Sequence, residues 1–187
     1  MSSIYMANEL WRSKVDGPAL TAAARASALQ SGDKYTLPSN YFDRVGKGLR
    51  IRASGRISSV ITTPGTARFD ISIGGTIVWD GLAILLDTVA AHTNVGWFLD
   101  VDLTARSIGG GTNATLIGQG LWTCEDLLGT PATAPKGSLS AVLPWNSAPA
   151  VGAGFDSTPA AVLDLSFTQT VATGSLTVHQ FIVIEPN

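Results

Sequence analysis

The sequence predicts an all-β protein, an antiparallel β-sandwich or barrel, preceded by an N-terminal arm that contains a short helix. Three observations carry this. Apolar and polar residues alternate with period two in several separate segments. Turn signals divide most of those segments, and no segment of helical period falls between them, which argues against βαβ units. The expected organisation is an arm over residues 1–40 and a β-domain over residues 41–187.

The arm comes first. Tyr5, Leu10 and Trp11 stand among polar residues without a sustained period. Asp16-Gly17-Pro18 then leads into ALTAAARASALQSG, which carries the start signal, alanine-rich body and glycine stop of a short helix. Leu20 and Leu29 give that helix little large apolar surface, so it must dock on something or stay marginal. The arm is therefore read as an attachment device, dispensable for the fold of the domain that follows it.

The strands begin after residue 41. In Leu49–Ser59 the odd positions carry Leu49, Ile51, Ala53, Gly55 and Ile57, and the even ones carry Arg50, Arg52, Ser54, Arg56 and Ser58. One face is thus buried and the other basic. Thr63-Pro64-Gly65-Thr66 turns the chain into a row of Phe69, Ile71 and Ile73, and Gly74-Gly75 turns it again into Thr76–Asp80. Trp97, Leu99, Val101, Leu103 and Ala105 form a further inward row, set against Phe98, Asp100, Asp102, Thr104 and Arg106. After Gly109-Gly110-Gly111 an extended pattern runs from Ala114 to Trp122, and Ala160–Thr170 and Ser175–Glu185 close the chain. With Leu82–Leu86 and Leu139–Leu143 this makes about nine strands. Ile51, Phe69, Ile71, Leu99, Val101, Leu103 and Leu165 are the expected core. Residues 129–159, rich in proline, alanine and glycine, read as a long connection of the kind that makes contacts. Trp79-Asp80 occurs once and no internal repeat is evident, which argues against a propeller.

Composition narrows the function. Of 187 residues 45% are hydrophobic and only 14% charged, against a usual level of about 25% charged. The formal net charge is −2, so the chain has neither the polarity nor the charge of a disordered one. A surface so poor in charge suits an assembly component whose faces are covered. One cysteine, Cys124, excludes an intrachain disulfide and a cysteine-cluster metal site. The start lacks the pattern of a signal peptide, and the longest strongly apolar run, Leu82–Leu86, falls far short of the roughly 20 residues that cross a bilayer. The expectation is a soluble product of a reducing cytoplasm, without membrane contact. Charge is uneven along the chain. Residues 1–68 hold 10 basic and 4 acidic residues, whereas residues 69–187 hold 2 basic and 10 acidic ones. With so small a net charge, the asymmetry points to halves that meet, within or between subunits, rather than to direct nucleic-acid binding.

Reactive constellations are weak. Asp100 and Asp102 share one strand face and could hold a cation or act as an acid/base pair, but an exposed face paired with arginines explains them as well. His92 lies in a polar turn, and His179 shares its face with Thr177 and Phe181. Cys124 has no evident electropositive setting. IGGGTNA is not followed by a helical pattern, and GAGFDS lacks the third glycine and helix of a dinucleotide site. No catalytic residue, metal ligand or cofactor site is assigned. Two features remain as interface candidates: the basic row Arg50, Arg52, Arg56, and the aromatic N-terminus with Tyr5, Leu10 and Trp11. The row could pair with Asp70, Asp100 or Asp102 or meet another subunit; the N-terminus could fold back or reach a neighbour.

YTLPSNYFDRVGKGLRIRASGRISSVITTPGTARFDISIGG at 35–75 resembles a class of tailed-bacteriophage virion proteins. The resemblance continues through AHTNVGWFLDVDLTARSIGGGTNATLIGQGLWTCEDLLG at 91–129, SAPAVGAGFDSTPA at 147–160 and the terminal VHQFIVIE. It implies a structural role in the particle, as a β-sandwich of jelly-roll type, and carries no catalytic residues. The function expected is that of a capsid decoration (cement) protein located in the virion. Its partners would be further copies of itself, a trimer first among the possible oligomers, and the major capsid protein or other virion proteins. A neck, tail or receptor-binding spike component is the alternative.

Overall fold

A computed structural model of the chain describes residues 7–128 and 138–186, with the backbone alone at 126–128 and 138–139. Among the described residues there are twelve strands and one 3-10 turn, Ser31–Asp33. The strands are β1 (Asn8–Arg12), β2 (Arg25–Ser27), β3 (Tyr35–Leu37), β4 (Gly48–Ser59), β5 (Thr66–Ile73) and β6 (Thr76–Asp80). They continue with β7 (Ile84–Leu85), β8 (His92–Ser107), β9 (Thr115–Leu128), β10 (Ser138–Leu143), β11 (Ala161–Gln169) and β12 (Ser175–Glu185).

They form two antiparallel sheets, and the protein is a β-sandwich. Sheet A has the order β1-β12-β4-β8-β9-β10, and sheet B has the order β2-β11-β5-β6, with β3 also on β11 and β7 on β5. The first and last long strands lie side by side in each sheet, β4 with β12 and β5 with β11. The two-residue Gly74-Gly75 turn joins β5 to β6 as a hairpin, and β8–β9 and β9–β10 also pair as neighbours in sequence.

The core sits between the sheets and is built by the period-two rows. Ile51, Phe69, Ile71, Leu99, Val101, Leu103 and Leu165 are all buried. Phe69 is its hub, packing edge-on against Trp122 and tilted against Trp97 and Phe167, with ring centroids 5.0–5.2 Å apart. Trp79 enters from sheet B over the inner face of β9, where Gly118 and Gly120 replace side chains. A Cβ on Gly118 would lie 2.6 Å from Trp79 Cδ1 and 2.5 Å from Leu103 Cδ2. Overpacking of this kind costs about 1–3 kcal/mol. Gly118→Ala is therefore expected to lower the unfolding free energy by that amount, read as a lower urea midpoint at constant slope; an unchanged midpoint would show that Trp79 repacks freely.

The N-terminal segment departs from expectation. The alanine-rich stretch is not a helix. Leu20 bridges Leu176 in both backbone directions, Gly17 N–H donates to the Val178 carbonyl at 2.8 Å, and Arg25–Ser27 forms β2 on β11. Nor do residues 8–40 stand apart from the sandwich as an arm. β1 extends sheet A along β12, and β2 and β3 occupy successive lengths of β11 in sheet B. The segment thus caps an edge of both sheets, and the boundary expected at residue 41 separates no packing unit among the described residues. The physical reason is competition: alanine favours a helix by a few tenths of a kcal/mol per residue, whereas open strand edges offer a row of otherwise unpaired amides and carbonyls.

Candidate functional site

The basic row lies on the outer face of sheet A. Arg50 and Arg52 on β4 stand opposite Asp102 and Asp100 on β8. Arg50 Nε and Nη2 donate to the two oxygens of Asp100 at 2.7 and 2.6 Å, a bidentate pair, and Arg50 Nε also lies 3.7 Å from Asp102. The hydrogen bond to Asp100, opposed by some burial, holds the Arg50 guanidinium above its ordinary pKa. Arg52 Nε is 3.3 Å from Asp100, and its guanidinium carbon lies 5.2 Å from the centroid of Phe98. Arg56 stands opposite Gly96, is exposed, and has no ion-pair partner among the described residues. The row therefore splits: Arg50 and Arg52 neutralise their own neighbouring strand, and Arg56 alone projects free. On the same outer face, Leu121 stands opposite Asp100 on the far side of β8 and pairs in turn with Val142; the two are 43% and 61% exposed.

The aromatic N-terminus folds back. Trp11 stacks on Tyr35 at 6.0 Å, carries Lys14 Nζ 5.0 Å from its ring, and with Leu10 packs against the core. Tyr5 lies outside the described residues.

Charged pairs that strand periodicity did not expose lie on sheet B. Asp70, fully buried, takes three contacts of 2.6–3.2 Å from Arg25 Nε and Nη2. Arg68 pairs with Asp80 at 2.7 Å. Asp164 accepts from Ser27 Oγ and from Lys34 Nζ, both at 2.7 Å. The only signal in sequence was the position of these carboxylates between inward apolar residues.

The two glycine-rich motifs, which start 44 residues apart at Ile108 and Gly152, meet in space. Ala114 and Phe155 form an isolated antiparallel bridge, and a Cβ on Gly154 would sit 2.2 Å from the Thr112 carbonyl oxygen. Together with the Gly74-Gly75 turn, both residues of which have positive φ, they frame a groove of about 590 Å³ over one end of sheet B. Lys34, Ser72, Thr76, Thr112, Asp156 and Asp164 supply its polar lining. Hydrogen bonds from the Thr158 hydroxyl and from the Gly111 and Thr158 amides hold the Asp156 carboxyl below its usual pKa.

The histidines have partners. His92 Nε2 is 3.0 Å from Asp87 Oδ2, both side chains being largely buried, and exposed His179 is 3.0 Å from Asp16. Burial pushes the Asp87 carboxyl up, but hydrogen bonds from His92, Val89 and Ala90 outweigh it and leave the pKa below the ordinary 3.8. A carboxylate so depressed stabilises the fold fully above that ordinary value, and the contribution is lost as pH falls through the lowered native value. Asp87→Asn should cost about 1 kcal/mol at pH 6 in urea titrations, and the gap to the parent protein should close toward pH 3. A gap independent of pH would assign the effect to shape alone. Among the described residues no three metal-ligating side chains cluster, and no helix is long and apolar enough to cross a membrane.

No family model matches the chain, and no curated protein matches it. Among solved structures it is similar to the CBM2 module of the evolved Dit of Lactobacillus casei BL23 phage J-1. Identity is 11% and the TM-score 0.35, over 82% of this chain and 68% of that one. It is also similar to lectin I-B4 from Griffonia simplicifolia in its metal-free form, at 9% identity and a TM-score of 0.33, over 89% and 90% of the two chains. At such values neither neighbour says what this chain does.

Proposed function

We propose that this chain is a structural protein of a tailed-bacteriophage virion, a homo-oligomeric capsid decoration protein that binds and stabilises the assembled head. It acts without enzymatic activity, metal or cofactor. The observation that carries the reading is the outer face of sheet A, where the apolar pair Leu121 and Val142 lies beside a charge ladder already neutralised within the chain. Such a face costs little to dehydrate and gains by being covered. The resemblance of residues 35–75, 91–129 and 147–160 to virion proteins, and a charged fraction of only 14%, support the same reading. A module that binds the assembled lattice but not its loose subunits stabilises the shell by linkage, and several weak contacts per oligomer add through effective concentration.

The experiment mixes the purified chain with purified empty heads, sediments them, and follows the temperature at which the heads break. The chain should co-sediment at a saturating ratio and raise that temperature, and light scattering of the free chain should give a trimer. Binding to purified tails but not to heads would favour the neck, tail or receptor-binding alternative. Failure to bind any part of the particle would overturn the reading.

A further inference from the structure

The groove over the end of sheet B has no part in lattice binding as proposed above. Its volume, about 590 Å³, lies within the range of about 300–1,000 Å³ typical of small-molecule sites, and it is framed by loops at one end of a sandwich, where ligands usually bind. Its charges are tied up. Lys34 and Asp164 neutralise each other at 2.7 Å, and the Asp156 carboxylate is held by the Thr158 hydroxyl at 2.6 Å and the Thr158 amide at 2.9 Å. Ser72, across β11 from Asp164, lines the groove with 5% exposure, and its side chain has no hydrogen-bond partner among the described residues. That hydroxyl is free both to donate to and to accept from a ligand in the groove.

We infer that this groove is a binding site for a neutral saccharide, one or a few pyranose units in size. Each sugar hydroxyl both donates and accepts, which matches a lining that alternates a lysine donor, carboxylate acceptors and the Ser72 and Thr76 hydroxyls. An anionic ligand would meet two carboxylates against one lysine, so sulfated or sialylated sugars are disfavoured. Backbone at Gly75 and Gly111, where a Cβ would meet nothing within 4 Å, leaves the rim low enough for a ring to enter.

The test is a printed array of neutral, amino, sialylated and sulfated oligosaccharides probed with the purified full chain, followed by calorimetric titration of the best neutral sugar. Neutral sugars should bind, and Ser72→Ala and Asp156→Asn should each weaken binding at least five-fold while leaving the melting temperature within a degree or two. No binding above background overturns the inference. So does a preference for anionic sugars, or binding that both variants leave unchanged. The free chain is used throughout, so the result is independent of whether it decorates heads.

Discussion

Removal of residues 1–36 is expected to abolish cooperative folding rather than to yield a stable domain that has lost its attachment device. The truncation takes away β1 and β2 and most of β3, and so strips partners from both β12 and β11. It also removes Ala28 and Leu29 from the core, and Leu10, Trp11 and Leu20 from its margin. At about 1.5–3 kcal/mol for each large side chain, the loss rivals the whole stability of about 5–15 kcal/mol that a domain possesses. Circular dichroism should show no sharp thermal transition, and the fragment should aggregate through its bared strand edges. A truncated chain that melts cooperatively near the parent temperature would restore the segment to the status of a dispensable arm.

Arg25→Ala is expected to destabilise the protein by about 3 kcal/mol, a large effect for a side chain that is itself partly exposed. The reason lies in its partner. Asp70 has no exposed surface, and Arg25 is the side chain that neutralises it, with Nη2 2.6 Å from Oδ1. Its neighbours across the sheet do not help. Ser166 is neutral and Asp80 is an anion engaged by Arg68. Removing the arginine strands a buried carboxylate, whereas removing both charges does not. The double variant Arg25→Ala with Asp70→Asn should therefore regain most of the loss, as read from urea midpoints at constant slope. A double variant as unstable as the single one would mean that Arg25 contributes packing and little charge compensation.

Both experiments probe the same fact, that the N-terminal segment is stitched into the sandwich. That fact was hidden in the sequence because each stitch is made by a residue with no periodic signature. Gly17, Leu20, Arg25 and Ala28 do not alternate, and their partners Val178, Leu176, Asp70 and Leu165 lie far along the chain. Local preference read ALTAAARASALQSG as a helix because nothing within it names a partner strand. Asp70 is a related case. Alternation placed it correctly on the outer face of its strand, but not the arginine that covers it there.

What the sequence determined by itself was the core and the two-sheet class. Through the middle of β4, β5 and β8 every second residue is apolar or glycine, and most are large; in a pleated strand that pattern has one solution, with Leu49, Phe69 and Leu99 facing inward. It also brought arginines and aspartates to one outer face, since Arg50, Arg52, Asp100 and Asp102 all occupy alternate positions on strands that pair. The tertiary structure decided the rest. Register chose which arginine meets which aspartate, and left Arg56 opposite Gly96 without a partner among the described residues. Strand edges, rather than alanine propensity, chose the conformation of the N-terminal segment. The bridge between Ala114 and Phe155 joined two glycine-rich motifs, neither of which makes a site alone, into the wall of a groove. Periodicity is a local property and survives in the sequence; pairing partners and cavities depend on which distant strands meet.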